Sequence, residues 1–215
     1  MGNSGVTDRS AEAKILEAAR ALFTAKGFAG TNMRDIADRA GVNKGLIHYY
    51  EWNKSKLFMA VFAEAFQDFA RQANALFLSE QPLPEKIRAF VDRYIDFLMA
   101  NPHLPGFILS ELNAGPEAFM QSLMQRMELP DPVPFFRQIE KEAKAGHIKG
   151  VSPLHFFLNL LAMCVFPFAA RPMVQTLFKV SAREYDALLR ERKEVVVDAS
   201  LAVLYPAGER QGPLA

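Results

Sequence analysis

Two stretches between Asn32 and Tyr50 are each about two turns long, and a single glycine, Gly41, separates them. A helix shorter than about 12–15 residues is marginal in water, so both must be held by something else in the chain. Each opens on an asparagine that can cap a helix. Asn32 has Asp35 three residues on, in the capping-box position, and Asn43 precedes the second stretch. Ile36, Ala37, Val42 and Ile47 supply the apolar core of the hinge. The support comes from upstream, where Ile15, Ala18, Ala19, Leu22 and Phe23 repeat at helical spacing after Ser10, a capping type, and before Gly27. With Ile47 turned inward, Lys44, Leu46, His48 and Tyr49 are left on the outer side or at the N-terminal end of the second short helix. Such a helix-turn-helix can lay its second helix in a major groove while the first crosses the backbone.

The remaining chain also reads as helices. A long one runs from about Lys54 to Ser79, with Leu57, Val61, Phe62, Ala65, Phe66 and Phe69 in period. Further helices are expected at 85–100, 104–112, 116–127, 134–145, 153–170 and 181–204, punctuated by Pro82, Pro84, Asn101-Pro102, the Pro130–Pro134 run and Ser152-Pro153. Pro167 is expected to kink its helix. On the last helix Tyr185, Leu188, Leu189, Arg192, Val196, Ala199 and Val203 form one stripe. No strand pattern is present, so the fold class is all-α. An N-terminal three-helix DNA-binding domain (10–54) is expected to join, through the long helix, a larger helical domain (55–205), with flexible tails at 1–9 and 206–215.

Charge is uneven along this chain. Residues 1–57 hold nine Lys and Arg against six Asp and Glu, a net +3, and the rest carries −2. The small N-terminal part is the one suited to phosphate. The single cysteine, Cys164, excludes an internal disulfide and a multi-cysteine metal site; between Met163 and Val165 it reads as a small buried apolar residue in a reducing cytoplasm. The start of the chain lacks a signal-peptide core. The most apolar stretch, Leu154 to Ala170, is interrupted by His155, Asn159 and Pro167 and falls short of the ~20 residues of a membrane span. An α-helical enzyme is the rival reading. However, His48, His103, His147 and His155 lack metal-ligand spacing, and no Gly-rich phosphate loop or nucleophile elbow occurs. No catalytic residue, metal or cofactor is assigned.

The run Gly27-Phe28-Ala29-Gly30-Thr31-Asn32-Met33-Arg34-Asp35-Ile36-Ala37, then Ala40-Gly41-Val42-Asn43-Lys44-Gly45-Leu46-Ile47-His48-Tyr49-Tyr50, then Asn53-Lys54 resembles the tetracycline-repressor (TetR-type) family of transcriptional regulators. The resemblance covers roughly residues 11–60. It implies that Thr31 and Asn32 hydrogen-bond phosphate at the start of the second helix and that Arg34 reaches a phosphate or a base edge. It further implies that Asn43, Lys44, Gly45, Leu46 and His48 face the groove, and that Tyr49, Tyr50 and Lys54 clamp the backbone. Leu46 could touch a thymine methyl and Lys44 could donate to guanine O6 or N7. The family usually has an aromatic or apolar residue where this chain has Glu51. Trp52 follows directly and can serve as anchor, which leaves open the path from the third helix to the fourth.

Sixteen of the eighteen phenylalanines follow residue 57. They can simply fill a core. The resemblance implies in addition a pocket for an apolar or aromatic effector, with Phe97, Phe107, Phe119, Met163 and Phe166 as candidates, and a homodimer through helices at about 153–170 and 181–204. It thereby implies a cytoplasmic, ligand-responsive repressor on a near-palindromic operator. A regulator without small-molecule control, repressor or activator, is the alternative.

Overall fold

The computed structural model describes residues 4–206. The tail residues 1–3 and 207–215 lie outside that range. Among the described residues there are eleven α-helices and no strand: α1 (Ser4–Lys26), α2 (Met33–Ala40), α3 (Lys44–Tyr49), α4 (Lys54–Leu78), α5 (Leu83–Ala100), α6 (Leu104–Ala114), α7 (Pro116–Arg126), α8 (Val133–Lys144), α9 (Pro153–Ala169), α10 (Arg171–Phe178) and α11 (Ala182–Leu204). The first helix starts six residues before the Ser10 cap expected from sequence, so residues 4–9 are helical rather than a tail. A capping box from Ser10 needs Glu or Gln at 13, where Ala13 stands, and no proline interrupts the chain before it.

The chain forms two compact units interleaved in sequence. One comprises residues up to Gln67 with Gly106–Met127; the other comprises Asp68–Pro105 with Glu128 onward. This differs from the consecutive division expected at residue 54, because most of α6 and all of α7 group with the helix-turn-helix. The cause is aromatic. Phe58 of α4 packs its ring 4.9 Å from Phe23, 5.3 Å from Phe28 and 4.2 Å from Phe107, and Phe107 meets Phe119 of α7 at 6.1 Å. Each such ring contributes roughly 1.5–3 kcal/mol by burial, with about 0.5–1.5 more per well-oriented pair.

The second unit is built on α5, α9 and α11, with a ring cluster of Phe69, Phe77, Phe90, Tyr94, Phe135 and Phe157 filling its core. Lys193 of α11 sits between Asp92 (2.6 Å) and Asp96 (2.7 Å) of α5, and Arg88 pairs with Glu194 at 2.7 Å. Burial alone would lower the Lys193 pKa; the two carboxylates outweigh it and hold the ammonium above its ordinary range. These pairs are largely solvated, so they set the register of α5 on α11 more than they add stability.

Pro167 explains how α9 is tied to α11. Lacking an N–H, it leaves the Met163 carbonyl without its helical partner. Arg192 Nε donates to that oxygen at 3.1 Å, and the buried Tyr185 hydroxyl donates to the Pro167 carbonyl at 2.7 Å. Burial raises the Tyr185 pKa against the nearby Arg171 and Arg192, so the hydroxyl remains a donor at neutral pH. The helix continues through Pro167 to Ala169. Beyond it, α10 leaves the direction of α9 by 66°.

Sequence periodicity missed α10, which has no buried residue and exposes Met173, Leu177 and Phe178. The single stripe expected on α11 is two. Tyr185, Leu189 and Val196 face the core, whereas Leu188, Ala199 and Val203 are exposed beside Val195. Cys164 is fully buried, and desolvation pushes its thiol up to about 12. Among the described residues no single helix is long and apolar enough to cross a membrane.

Replacing Tyr185 with Phe strands the Pro167 carbonyl in an apolar setting. The expected cost is about 1–3 kcal/mol, read as a lower urea midpoint; an unchanged midpoint would show that the bond contributes nothing.

Candidate nucleic-acid interface

The helix-turn-helix is assembled on α1. Ile15, Ala19 and Phe23 are fully buried there, and Ile36 and Ile47 join them at 0% exposure with Ala37 at 2%; Val42 is half-buried. The turn from α1 to α2 closes only because residue 30 is glycine, since a Cβ there would stand 2.5 Å from the Lys26 carbonyl oxygen. Asn32 caps α2, its Oδ1 accepting the Asp35 N–H at 2.9 Å. The capping box is half-formed, because Asp35 turns its carboxylate to Lys26 Nζ, 3.4 Å away.

Both helices of the motif end in the same way. At α2, Gly41 takes φ +66°, with Gly41 N–H donating to the Asp38 carbonyl and Val42 N–H to the Ala37 carbonyl. At α3, Glu51 takes φ +54°, with Glu51 N–H on the His48 carbonyl at 2.9 Å and Trp52 N–H on the Ile47 carbonyl at 3.2 Å. These are matching Schellman turns. The second sets a glutamate in the left-handed region, at a cost of roughly 1–2 kcal/mol relative to glycine. Glu51 therefore reverses the chain through its backbone, and its carbonyl accepts Lys56 Nζ at 3.2 Å. Trp52 is half-buried behind it. The route into α4 is thus defined, and Asn53 caps α4 by accepting the Lys56 N–H at 2.8 Å.

Of the residues expected to meet DNA, all but Thr31 are exposed or half-buried. Thr31 is buried at 2% exposure. Its hydroxyl lies 2.8 Å from the Gly27 carbonyl oxygen and 3.2 Å from that of Leu22, and its N–H donates to the Phe28 carbonyl. Its polar groups are spent inside the turn, so it does not present a hydroxyl to phosphate. Asn32, Arg34, Asn43, Lys44, Gly45 and His48 are exposed; Leu46 and Tyr50 are half-buried. Asn43 Oδ1 caps α3 by accepting the Gly45 N–H at 2.9 Å. Among the described residues Arg34 pairs with Asp38, at 3.9 Å, on an open surface. Tyr49 is 72% exposed, its ring 5.5 Å from that of Tyr50. Lys54 rests its ammonium 4.4 Å above the Phe28 ring, a cation–π seat that fixes where that charge is held.

Of the effector candidates, Phe107 and Phe119 belong to the first unit and Phe97, Met163 and Phe166 to the second. Phe107 is buried in the Phe28–Phe58 cluster, and Phe97 stacks on Phe69. Met163 is half-buried, and Phe166 is 60% exposed on α9. Of the two cavities described, only one has any of the five in its wall, namely Phe119. Phenylalanine number alone does not separate a core ring from a pocket ring.

Thr31→Val is expected to cost about 1–2 kcal/mol of stability. It should leave the DNA affinity of the folded protein within about twofold. A tenfold loss with the fold intact would restore Thr31 as a contact.

The profile of the bacterial regulatory proteins of the tetR family matches residues 15–61, and that of the tetracyclin repressor-like C-terminal domain matches residues 84–199. The HTH-type transcriptional regulator YttP of Bacillus subtilis is 26% identical over 161 residues, 74% of this chain and 77% of that protein. An HTH-type transcriptional repressor of Streptomyces coelicolor is 37% identical over 93 residues, 43% of this chain and 45% of that protein. The crystal structure of a TetR/AcrR-family regulator from Thermobifida fusca superposes with a TM-score of 0.60 at 19% identity, covering 89% of this chain and 97% of the other. The chain belongs to the tetR family of DNA-binding transcriptional regulators.

Proposed function

We propose that the protein is a cytoplasmic repressor that grips a near-palindromic operator as a homodimer and releases it when an apolar or aromatic effector binds. The observation that carries the reading is the outer face of α3, where Lys44, His48 and Tyr49 stand exposed on a helix anchored from behind by the buried Ile47. Lys44 reads base edges, with Leu46 available to a thymine methyl. Asn43, Gly45 and His48 face the groove beside them, while Asn32, Arg34, Tyr49, Tyr50 and Lys54 position the protein on sugar and phosphate. The sign of regulation, repression, is supported by the Streptomyces coelicolor relative.

Two exposed apolar rows favour the dimer. Leu154, Leu158, Ala162 and Phe166 recur every four residues along α9, and Leu188, Val195 and Val203 line the outer side of α11. Both rows leave apolar surface in water that a second copy would cover in a four-helix arrangement. Phe166 is then an interface residue. Two-fold symmetry would place the recognition helices about 34 Å apart, one turn of DNA. Effector binding acts by population shift, and a coupling of ~1–3 kcal/mol changes operator affinity from about fivefold to over a hundredfold.

Duplexes selected from a random pool by the full-length protein test the contacts. Lys54→Ala should weaken all selected sites and lower the slope of log affinity against log salt by about 0.9. Lys44→Ala should change which sites are selected. Equal selection and affinity by both variants and the parent would sink the groove assignment.

Leu158→Asp with Val195→Asp is expected to give a monomer in sedimentation velocity at micromolar concentration. A dimer that survives both substitutions would move the interface elsewhere.

A further inference from the structure

The first compact unit contains a groove of about 470 Å³ between the opening turns of α4 and the α6–α7 segment. Its volume falls within the range of small-molecule sites, about 300–1,000 Å³. The wall is mixed. Met59, Ala118 and Phe119 give an apolar side, while Ser55, Lys56 and Glu111 give a polar one. Glu111 is half-buried, and among the described residues its hydrogen-bond partner is Ser55, whose hydroxyl donates to Oε1 at 3.1 Å. No cation pairs with it among those residues. The one cationic side chain in the wall, Lys56, has its ammonium on the Glu51 carbonyl at the exit of α3.

Glu111 is thus a carboxylate whose side-chain partner among the described residues is a neutral hydroxyl. A charged donor makes a stronger bond to it than a hydroxyl does. The same hydrogen bond also ties α6 to the first turn of α4, one residue after Lys54 and two after the Asn53 cap. Whatever takes Glu111 away from Ser55 therefore acts on the turn that holds Lys54 and, through Lys56 and Glu51, on the end of the recognition helix.

We propose that this groove is a regulatory site for a small amphipathic molecule bearing an ammonium head. The head engages Glu111 in place of Ser55 and the apolar body lies over Met59, Ala118 and Phe119; occupancy loosens the DNA grip. The site rests on the reading of the chain as an effector-released DNA-binding protein, but it differs from the aromatic pocket expected in the larger domain, since it is in the same compact unit as the helix-turn-helix.

A tethered occupant tests this without knowing the natural ligand. Ala118 is exposed in the groove, whereas the native Cys164 has 0% exposure and is spared by thiol reagents. The full-length Ala118→Cys protein is modified with 2-aminoethyl methanethiosulfonate or with the neutral propyl reagent of the same length, and affinity for a selected duplex is measured. The ammonium conjugate is expected to bind DNA about tenfold more weakly than the propyl conjugate, although a positive charge added to a DNA-binding unit would by itself strengthen binding. Glu111→Gln in the same background should abolish the difference, and Ser122→Cys, on the same wall, serves if Ala118→Cys does not fold. An ammonium conjugate that binds as well as or better than the propyl conjugate overturns the site. If soluble metabolites still release the duplex in that case, effector control stands and only its location falls. If the unmodified parent selects no duplex, the DNA-binding reading falls with it.

Discussion

Phe58 is the contact on which the DNA-binding unit depends. It touches the end of α1 through Phe23, the α1–α2 turn through Phe28, and α6 through Phe107. Two helices of eight and six residues cannot supply their own stability. They persist because α1 is held against the start of α4, and that junction is a knot of rings packed mostly edge-on or tilted. Lys54 belongs to the same knot through its seat on Phe28. A surface cation is thereby placed by an apolar cluster, coupling the packing of the unit to its electrostatics.

The second unit is governed by a different constraint, the absent N–H of Pro167. An interior proline would ordinarily leave one carbonyl of α9 unpaired, and the end of the helix leaves another. Arg192 and Tyr185 of α11 satisfy both. The pair α9–α11 is therefore specified by polar complementarity on its inner side while its outer sides remain apolar. Inner polar ties fix how the two helices cross, and the outer rows are left free to meet another surface. This division of labour is what splits the α11 stripe in two.

Glu51 joins these themes at the recognition helix. A left-handed residue must end α3 if the chain is to turn into α4, and this protein uses glutamate where glycine serves at Gly41. The strain is sustained by two backbone hydrogen bonds and by Lys56 on the Glu51 carbonyl. Backbone geometry, rather than the Glu51 side chain, sets the direction of α4.

The all-α class, the two asparagine caps, the Gly41 turn and the buried trio Ile36, Ala37 and Ile47 were legible in the sequence because they rest on local rules: capping chemistry, glycine at positive φ and a 3.6-residue period. The same rules placed the seven helices at 54–79, 85–100, 104–112, 116–127, 134–145, 153–170 and 181–204 within two residues of their observed bounds, but missed α10, whose face finds no core to mark its period. What the tertiary structure alone decided depends on partners distant in the chain. Thr31 turned inward because the Leu22 and Gly27 carbonyls lie behind it. Phe107 joined the helix-turn-helix because Phe28 and Phe58 face it, Phe119 followed by packing on Phe107, and Phe166 stayed outside because the inner face of α9 was already filled. A period shows that a side chain leaves its helix on the apolar side. Which surface it then meets is settled by packing between segments, and no local pattern encodes that.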